Sequence, residues 1–425
     1  MKKLLKILGV LLLLFIIVIS IFYLRNNEKL PKGIENAAAD SLAIKMQKAL
    51  NIEAFNSTEL IEWSFKNEHF YKWDKTNNTV KVSWEQNVVV LDTKQPSNNQ
   101  LINNNSNKTE AELFKLATSF FNNDSFWLIA PFKVFDKGVS RKIVDYNNRK
   151  ALLVTYSSGG NTPGDSYLWI LDEKGFPTSY KMWVNIIPIG GVEASWKDWT
   201  LTETGMYLPT KHAINLFGLE FGMGKVKTSN PKADAFARKM LNAINHNAYK
   251  NTRYLEWSFR NRRFYKWDKK EHIVELNGNK NKIILHPNDI VKSTILVHGK
   301  ESFEDKERII NRALATFNND SFWLVAPHKL FEPGIIRSIV KVDGKDALKV
   351  KYTTGGSTPG DSYIWLVDDK YIPTAYKMYI PSMQMNGVSA TWENWITTDS
   401  GTKLPLTHTF DNGRVLNMGT VKGYN

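Results

Sequence analysis

A 14-residue stretch that occurs twice constrains this chain more than any other feature. Residues 156–169 read YSSGGNTPGDSYLW, and residues 352–365 read YTTGGSTPGDSYIW. Proline fixes φ at the first central position of a turn, and glycine supplies the positive φ that a type II turn needs at the next. Each copy therefore predicts a β-hairpin with its own turn residues, which are Pro163, Gly164, Asp165, Pro359, Gly360 and Asp361.

The repetition extends over most of the chain. The aromatic run Trp63-Ser64-Phe65 recurs as Trp257-Ser258-Phe259, and the segment FNNDSFWL occupies both 121–128 and 317–324. Self-similarity over so long a period indicates two copies of one domain rather than an array of short repeats. The predicted organisation is a signal anchor with a short linker followed by the first and second copies, over 1–36, 37–228 and 229–425.

The order of elements within each copy predicts the α+β class. Short aromatic runs separated by polar residues are typical of paired strands. Asp40 and Asp234 suit the N-caps of two helices, and Thr109 with Glu112 forms a capping-box pattern that begins a third. The Asn-Asn-Asp cluster is expected to end the later helix of each copy, with a strand after it. Helix, strands, helix and many strands favour a large antiparallel sheet, with a pure sandwich or barrel as the competitor.

The N-terminus predicts a membrane anchor. Lys2, Lys3 and Lys6 precede an apolar run over 7–24, which is just long enough to span a bilayer and long for the core of a cleaved signal. No small-residue cleavage site follows directly, so an uncleaved signal anchor is favoured and a cleaved signal is the alternative. The lysines before the span favour a cytoplasmic N-terminus. The prediction is a single-pass protein of the bacterial inner membrane with most of its chain in the periplasm.

Charge and cysteine content narrow the possible partners and chemistries. The 425-residue chain carries a net charge of +14 at pH 7 and contains no cysteine. Its lysines are scattered and no nucleic-acid fold pattern is present, so nucleic acid is not an expected partner. Without cysteine, the chain has no disulfide, thiolate metal site or cysteine nucleophile. No cofactor and no metal is predicted, and the sequence leaves the oligomeric state open.

No catalytic constellation is recognisable, and the chain is predicted not to be an enzyme. Asp165 and Asp361 lack a readable acid–base partner, so their carboxylates are expected to accept hydrogen bonds from turn amides. His212 and His408 occupy matching positions without metal-ligand spacing, which favours structural histidines at a sheet edge. A hydrolase that uses the two turn aspartates is the enzymatic alternative.

The hairpin and the segments around it resemble the Lol-type lipoprotein carriers, and more closely uncharacterised relatives of these carriers among envelope proteins. The shared pattern is a helix, aromatic strands, Phe-Trp-Leu with a nearby proline, then GGxTPGDxY and a strand ending at Asp172 or Asp368. The resemblance implies two tandem copies of a curved antiparallel β half-barrel, each with covering helices and space for acyl chains. Lol-type carriers are single-domain and either free or lipid-anchored, whereas this chain is doubled and lacks a lipidation cysteine. A tethered lipid-binding or docking role therefore fits better than shuttling of lipoproteins.

Tryptophan supplies the candidate ligand-binding residues. Every tryptophan of the second copy matches one of the first, and core packing is the default role of a strand tryptophan. If the half-barrels are hollow, some of these side chains line a hydrophobic pocket; the candidates are Trp63, Trp127, Trp169, Trp257, Trp323 and Trp365. The predicted function is a membrane-anchored envelope protein that binds a lipid, lipoprotein or other hydrophobic ligand. The alternative is a carbohydrate- or peptidoglycan-binding or structural docking module that uses exposed aromatic side chains.

Overall fold

The computed structural model describes residues 2–278, 281–353 and 359–425. Over these residues the chain is an α+β protein of antiparallel sheets and helices behind an N-terminal apolar helix, and no sheet closes into a barrel. The predicted fold class is confirmed. The chain divides into two compact units, called unit 1 (1–202 with 206–229) and unit 2 (203–205 with 230–425).

Unit 1 contains the helices α1 Lys2–Asn26, α2 Ala37–Ala49, α3 Ile52–Ser57 and α4 Glu110–Ile129. Its strands are β1 Leu60–Phe65, β2 His69–Asp74, β3 Thr79–Trp84, β4 Asn87–Asp92, β5 Gln100–Asn103, β6 Val139–Tyr146, β7 Arg149–Tyr156, β8 Ser166–Leu171, β9 Pro177–Trp183, β10 Val192–Ser195, β11 Thr200–Leu201, β12 Tyr207–Leu208, β13 Lys211–Ile214, β14 Leu219–Gly222 and β15 Lys227–Ser229. The sheet orders are β15-β1-β2-β3-β4-β5, β14-β13-β10-β9-β8-β7-β6 and β11-β12. Backbone bonds from Ser64 N to Met223 O and from Lys66 N to Gly222 O join the two large sheets along β1.

Unit 2 contains the helices α5 Pro231–Ala243, α6 His246–Asn251 and α7 Lys306–Val325. Its strands are β16 Tyr254–Phe259, β17 Arg263–Asp268, β18 Ile273–Asn277, β19 Asn281–Leu285, β20 Thr294–Val297, β21 Lys300–Glu301, β22 Ile335–Val342, β23 Lys345–Tyr352, β24 Ser362–Val367, β25 Pro373–Ile380, β26 Met385–Thr391, β27 Ile396–Thr397, β28 Lys403–Leu404, β29 Thr407–Thr409, β30 Val415–Asn417 and β31 Lys422–Tyr424. The sheet orders are β21-β20-β19-β18-β17-β16-β31, β22-β23-β24-β25-β26, β27-β28 and β29-β30.

The repeated stretch forms the predicted hairpins. β7 pairs with β8 and β23 pairs with β24, both antiparallel. Gly164 and Gly360 have φ values of +102° and +107°, which L side chains rarely adopt, so the turn requires glycine there. In the first copy the amide of Asp165 lies 3.4 Å from the carbonyl of Thr162, as expected for a turn centred on the proline and the glycine. In the second copy, residues 354–358 lie outside the described residues.

The long helices do not end where the sequence predicted. The Asn-Asn-Asp cluster lies inside both α4 and α7, and no strand follows directly, so that prediction is wrong. Asparagine and aspartate disfavour helices when their side chains bond the local backbone. Here Asp124 instead accepts a hydrogen bond from the Tyr71 hydroxyl at 2.5 Å, a tertiary contact that removes the local competition. The predicted capping box is confirmed, because Thr109 and Glu112 make both of its bonds.

The predicted N-caps of the earlier helices are also wrong, by one turn. Asn36 caps α2 and accepts bonds from two backbone amides, and Asn230 occupies the N-cap position of α5. Asp40 and Asp234 lie in the first turns, where their carboxylates pair with Arg141 and Arg337 at 2.6 and 2.7 Å. The aspartates therefore connect α2 to β6 and α5 to β22 rather than capping the helices.

The N-terminal helix α1 has the length and composition of a membrane span. The most apolar 18-residue window of its segment 6–26 has a mean hydropathy of 3.2, and the apolar side chains of the helix are exposed. These properties agree with the predicted single-pass anchor. The segment after α1 contacts the seven-stranded sheet of unit 1, because Ile34 pairs with Ile143 of β6 through two backbone hydrogen bonds.

Candidate functional site

The interior of each unit lies between its long helix and its two largest sheets, and aromatic rings fill this interior. In unit 1, Phe121 of α4 lies 6.2 Å from Trp63 of β1, whereas Phe126, further along the same helix, lies 4.7 Å from Tyr167 of β8. In unit 2, Phe317 and Phe322 of α7 make the same two kinds of contact. One helix therefore contacts both of the large sheets of its unit.

The predicted ligand-lining tryptophans pack within this aromatic layer. Trp169 and Trp365 are 0% exposed and Trp63 and Trp257 are buried, while Trp127 and Trp323 are partly buried. An open depression of about 630 Å³ lies elsewhere on unit 1, beside α2, and its lining includes Lys45, Lys48 and Lys174. Three lysines do not suit an acyl chain.

Four residues in each unit form a compact cluster that we call the aromatic box. In unit 1, the rings of Trp196 and Trp169 lie 4.9 Å apart, Tyr180 lies 5.0 Å from Trp169, and His212 lies 4.8 Å from Trp196. The box of unit 2 has closely similar spacings between Trp365, Tyr376, Trp392 and His408. Trp196 and Trp392 were not among the predicted site residues, although their matched positions in the two copies were visible in the sequence.

The aromatic boxes hold polar atoms without partners. Among the described residues, no hydrogen-bond acceptor reaches the indole nitrogens of the box tryptophans, which are Trp169, Trp196, Trp365 and Trp392. An unsatisfied buried donor costs about 1–3 kcal/mol, and such groups are uncommon in folded proteins. By contrast, Trp199 and Trp395 donate to the carbonyls of Pro177 and Pro373. Most of the surface of each box is apolar ring, but the box also presents several hydrogen-bond donors.

Both histidines belong to the boxes; the predicted sheet-edge position is wrong for His212, whereas His408 lies in β29 of the two-stranded sheet β29-β30, in which both strands are edges. His212 lies in β13, which is flanked by β10 and β14, and both rings are buried. Burial lowers the pKa of His212 and of His408 to about 4. Each Nδ1 lies within 3.1 Å of a backbone carbonyl, from Ser195 or Thr391. Both imidazoles are therefore neutral at pH 7 and fixed in orientation, which fits a packing role.

Each long helix also places a buried carboxylate, Asp124 in α4 and Asp320 in α7, outside the aromatic box. Asp124 lies 2.7 Å from Nδ1 of His69 and accepts a bond from Tyr71, whereas Asp320 accepts two bonds from Arg263 and one from Tyr265. The sequence missed both clusters because the aspartates were assigned to helix ends. The His69 and Arg263 positions differ in chemistry, so the two units are not equivalent here.

The turn aspartates have structural partners. Asp165 is buried; its Oδ1 accepts a bond from the backbone amide of Asn185 at 3.0 Å, and its Oδ2 accepts from the Thr162 hydroxyl. The amide lies in the connection after β9 and not in the turn, which corrects the predicted partner. Asp361 is also buried and lies 3.4 Å from the Tyr363 hydroxyl. Asp165 therefore fastens the repeated turn to the neighbouring loop.

One lysine in each unit lies in an aromatic stack. The ammonium of Lys75 is 4.0 Å from the ring centre of Phe55 and that of Lys269 is 3.6 Å from Tyr249, and each donates a hydrogen bond to the carbonyl of that same aromatic residue. Burial, with a smaller effect of a neighbouring lysine, lowers the pKa of both lysines to about 8. Cation–π contact offsets part of the cost of burying the charge.

The stability of the chain is expected to rise with pH between about pH 8 and about pH 9. In this range the two lysines bind more protons in the unfolded chain, where their pKa is about 10.4, than in the folded chain. Above about pH 9, the tyrosines that are buried in the fold, which outnumber the two lysines, begin to ionise in the unfolded chain and reverse the trend. Urea unfolding across this range measures the effect. The double variant Lys75→Met, Lys269→Met should flatten the rise, and an unchanged profile would contradict the assignment.

Comparisons with known proteins give only distant likenesses. No family model matches the sequence, and no curated protein matches it. Among solved structures, the chain is similar to a DUF1329 family protein from Desulfovibrio piger ATCC 29098, at 10% identity and a TM-score of 0.25, over 45% of this chain and 92% of that chain. It is also similar to a porin-like protein from Bacteroides uniformis ATCC 8492, at 9% identity and a TM-score of 0.13, over 86% of this chain and 96% of that chain. At these TM-scores neither likeness says what this chain binds or does.

Proposed function

We propose that this chain is a non-enzymatic, membrane-anchored protein of the bacterial cell envelope, with its two units in the periplasm. Each unit would bind a lipid, or the lipid part of a lipoprotein, in its aromatic box beneath the long helix. The observation that carries the proposal is the set of buried indole N–H groups without acceptors, which occurs in both units. A ligand with an apolar body and a few carbonyl oxygens, such as an acyl ester, complements this combination.

The long helix is the element that would move to admit the ligand. The box of unit 1 contacts α4 through Trp127, which lies 5.6 Å from Tyr180 and 5.2 Å from His212. Trp323 of α7 makes the same contacts in unit 2, with Tyr376 and His408. These are ring contacts rather than ion pairs, so a hydrophobic ligand can replace them with contacts of the same kind.

Cross-linking with a photoactivatable fatty acyl ester tests the proposal on the full chain. The ester should label peptides of β8–β10 and β24–β26 in addition to α1. The double variant Trp196→Phe, Trp392→Phe removes one orphan donor from each box and keeps an aromatic ring. The loss of one hydrogen bond to the ligand should weaken labelling of these peptides by about 2- to 10-fold.

The matched control is Trp199→Phe, Trp395→Phe, because those indoles already donate to backbone carbonyls. This control should leave labelling unchanged while losing some stability. Labelling confined to α1, or equal losses in the two double variants, would contradict a ligand site in the boxes.

A docking or glycan-binding role is the second candidate, and exposed aromatic side chains favour it. Trp169 and Trp365 are wholly buried, so neither ring face is open to a sugar. Phe70 and Phe264 are exposed at matching positions of β2 and β17, and each lies opposite a serine of the preceding strand. Retention of the chain on purified peptidoglycan, lost on exchange of both phenylalanines for serine, would favour this candidate over lipid binding.

A further inference from the structure

We propose that one end of unit 1 docks on the surface of the membrane that α1 crosses, with apolar loop side chains inserted among the lipid headgroups. The loops are the β9–β10 connection, residues 184–191, and the β13–β14 connection, residues 215–218. We call their exposed apolar side chains, together with Leu219, the apolar rim: Ile186, Pro188, Phe217 and Leu219. The proposal concerns the position of unit 1 and does not depend on a ligand in the aromatic boxes.

The end of α1 is fastened to the first of these loops. Directly after the helix, the Asn27 side chain accepts a bond from the amide of Gly190 at 2.8 Å, and the amide of Glu28 donates to the carbonyl of Gly190 at 2.9 Å. The Trp183 indole donates to the carbonyl of Glu28 at 2.8 Å, and Lys181 pairs with the Glu28 carboxylate. No flexible linker therefore separates the anchor from unit 1.

The length of the helix sets the depth of this contact. The apolar run ends at Leu24, so Asn27 lies three residues, or about 4–5 Å, beyond the hydrocarbon edge at the rise of an α-helix. The headgroup layer of each leaflet is roughly 5–7 Å thick, from the difference between the hydrocarbon and total thickness of a bilayer. Gly190 therefore lies at headgroup depth when α1 spans the membrane. Ile186, four residues earlier in the same loop, is 74% exposed.

The sheet brings the second loop to the same end of unit 1. β9 runs toward the 184–191 loop and β10 runs away from it, and β13 is antiparallel to β10, with Ala194 opposite Ile214. The 215–218 connection therefore emerges beside the first loop. It carries Phe217, and Leu219 follows it, with 43% and 52% exposure. Exposed apolar side chains on adjacent loops beside a membrane anchor mark a membrane-contacting surface.

The corresponding loops of unit 2 are less apolar, although Val415, which begins β30, is 56% exposed. The β25–β26 connection contains Ser382 and Gln384, although Met383 is exposed, and the β29–β30 connection contains Asp411, Asn412 and Arg414. The more apolar pair of loops thus occurs in the unit that carries the anchor. Arg25, Lys29 and Lys32 lie near the same end of α1, and their charge complements anionic lipid headgroups. We therefore assign the partner of the rim as the headgroup layer of an anionic bilayer.

Site-specific fluorescence on the full chain tests the proposal, since the absence of native cysteine lets one introduced cysteine report alone. An environment-sensitive fluorophore is attached at Ile186→Cys, at Leu219→Cys or at Lys174→Cys. The protein is then reconstituted in nanodiscs of phosphatidylethanolamine and phosphatidylglycerol. Lys174 lies in the turn before β9, about 20 Å along the strand from the rim. Insertion should blue-shift the emission of the probes at 186 and 219. Lipids with a spin label near the headgroup should quench the same two probes. The probe at 174 should show neither effect.

A second variant tests the role of the apolar side chains themselves. With the probe at 219, the exchanges Ile186→Ser and Phe217→Ser should remove most of the blue shift, because they remove the inserted side chains, whereas α1 still holds the loops close enough to the headgroups for some quenching. Both side chains are exposed, so these exchanges should leave the unfolding transition unchanged. Equal quenching at 186, 219 and 174, or a blue shift at 219 that survives both exchanges, would overturn the proposal.

Discussion

The exchange Asp234→Asn is expected to lower the stability of unit 2 by about 3–5 kcal/mol, because it leaves a buried guanidinium without its counter-charge. Arg337 is 1% exposed, and its Nε donates to Asp234 Oδ1 at 2.7 Å. Its Nη1 donates to the carbonyl of Leu330, and the ring of Phe331 lies 4.2 Å from its guanidinium carbon. Water cannot replace the carboxylate at this position. Thermal unfolding, monitored through hydrogen exchange of peptides from unit 2, measures this loss of stability.

Unit 1 provides the matched control. Arg141 and Asp40 form the same ion pair, but their side chains are 19% and 49% exposed, so solvent can take over when the pair is broken. The exchange Asp40→Asn should cost only about 1 kcal/mol or less. In unit 2, the double variant Asp234→Asn, Arg337→Met should recover most of the loss, because replacing both charges removes the unpaired one. Equal losses from Asp40→Asn and Asp234→Asn would contradict this account.

The exchange Trp365→Ala is expected to cost unit 2 about 3–5 kcal/mol, as for other large-to-small exchanges in protein cores. Trp365 is wholly buried, and its ring lies about 5 Å from both Tyr376 and Trp392. Removing the indole leaves an apolar cavity inside the aromatic box, and apolar cavities of this kind bind small apolar molecules. Added indole should therefore restore part of the lost stability, which calorimetry measures directly.

The conservative exchange Trp365→Phe separates volume from the indole N–H. It keeps most of the ring and removes a buried donor that has no acceptor among the described residues. Its cost should be well below that of Trp365→Ala. A loss as large as that of alanine, or no rescue of the alanine variant by indole, would show that the box is not packed as described.

Several features of the fold could be predicted because they depend on neighbouring residues only. The hairpin turns follow from Pro163-Gly164 and its repeat, since the φ values they require are local. The capping box at Thr109 is local for the same reason. The helix ends were predicted wrongly, because Asp124 and Asp234 find partners that are distant in sequence, on β2 and β22.

The candidate site also combines features that the sequence could predict with features that depend on contacts between distant residues. The sequence identified Trp169 and Trp365 as paired candidates, since both copies carry them at matching positions. It could not show how their surroundings differ from those of Trp199 and Trp395, because the difference lies in whether a carbonyl from another strand accepts the indole N–H. Burial and unsatisfied donors are properties of packed strands and are invisible in a pattern of residues.

By itself the sequence determined the α+β class, the paired hairpins and an apolar segment of membrane-spanning length, because each depends on local backbone preference or on composition. Only the tertiary structure decided which donors lack acceptors and which ion pair is buried. It also decided that the segment after α1 is fastened to Gly190 and Ile143 of unit 1. These features join residues far apart in the chain, and their free energies depend on how completely the packed strands and helices exclude water.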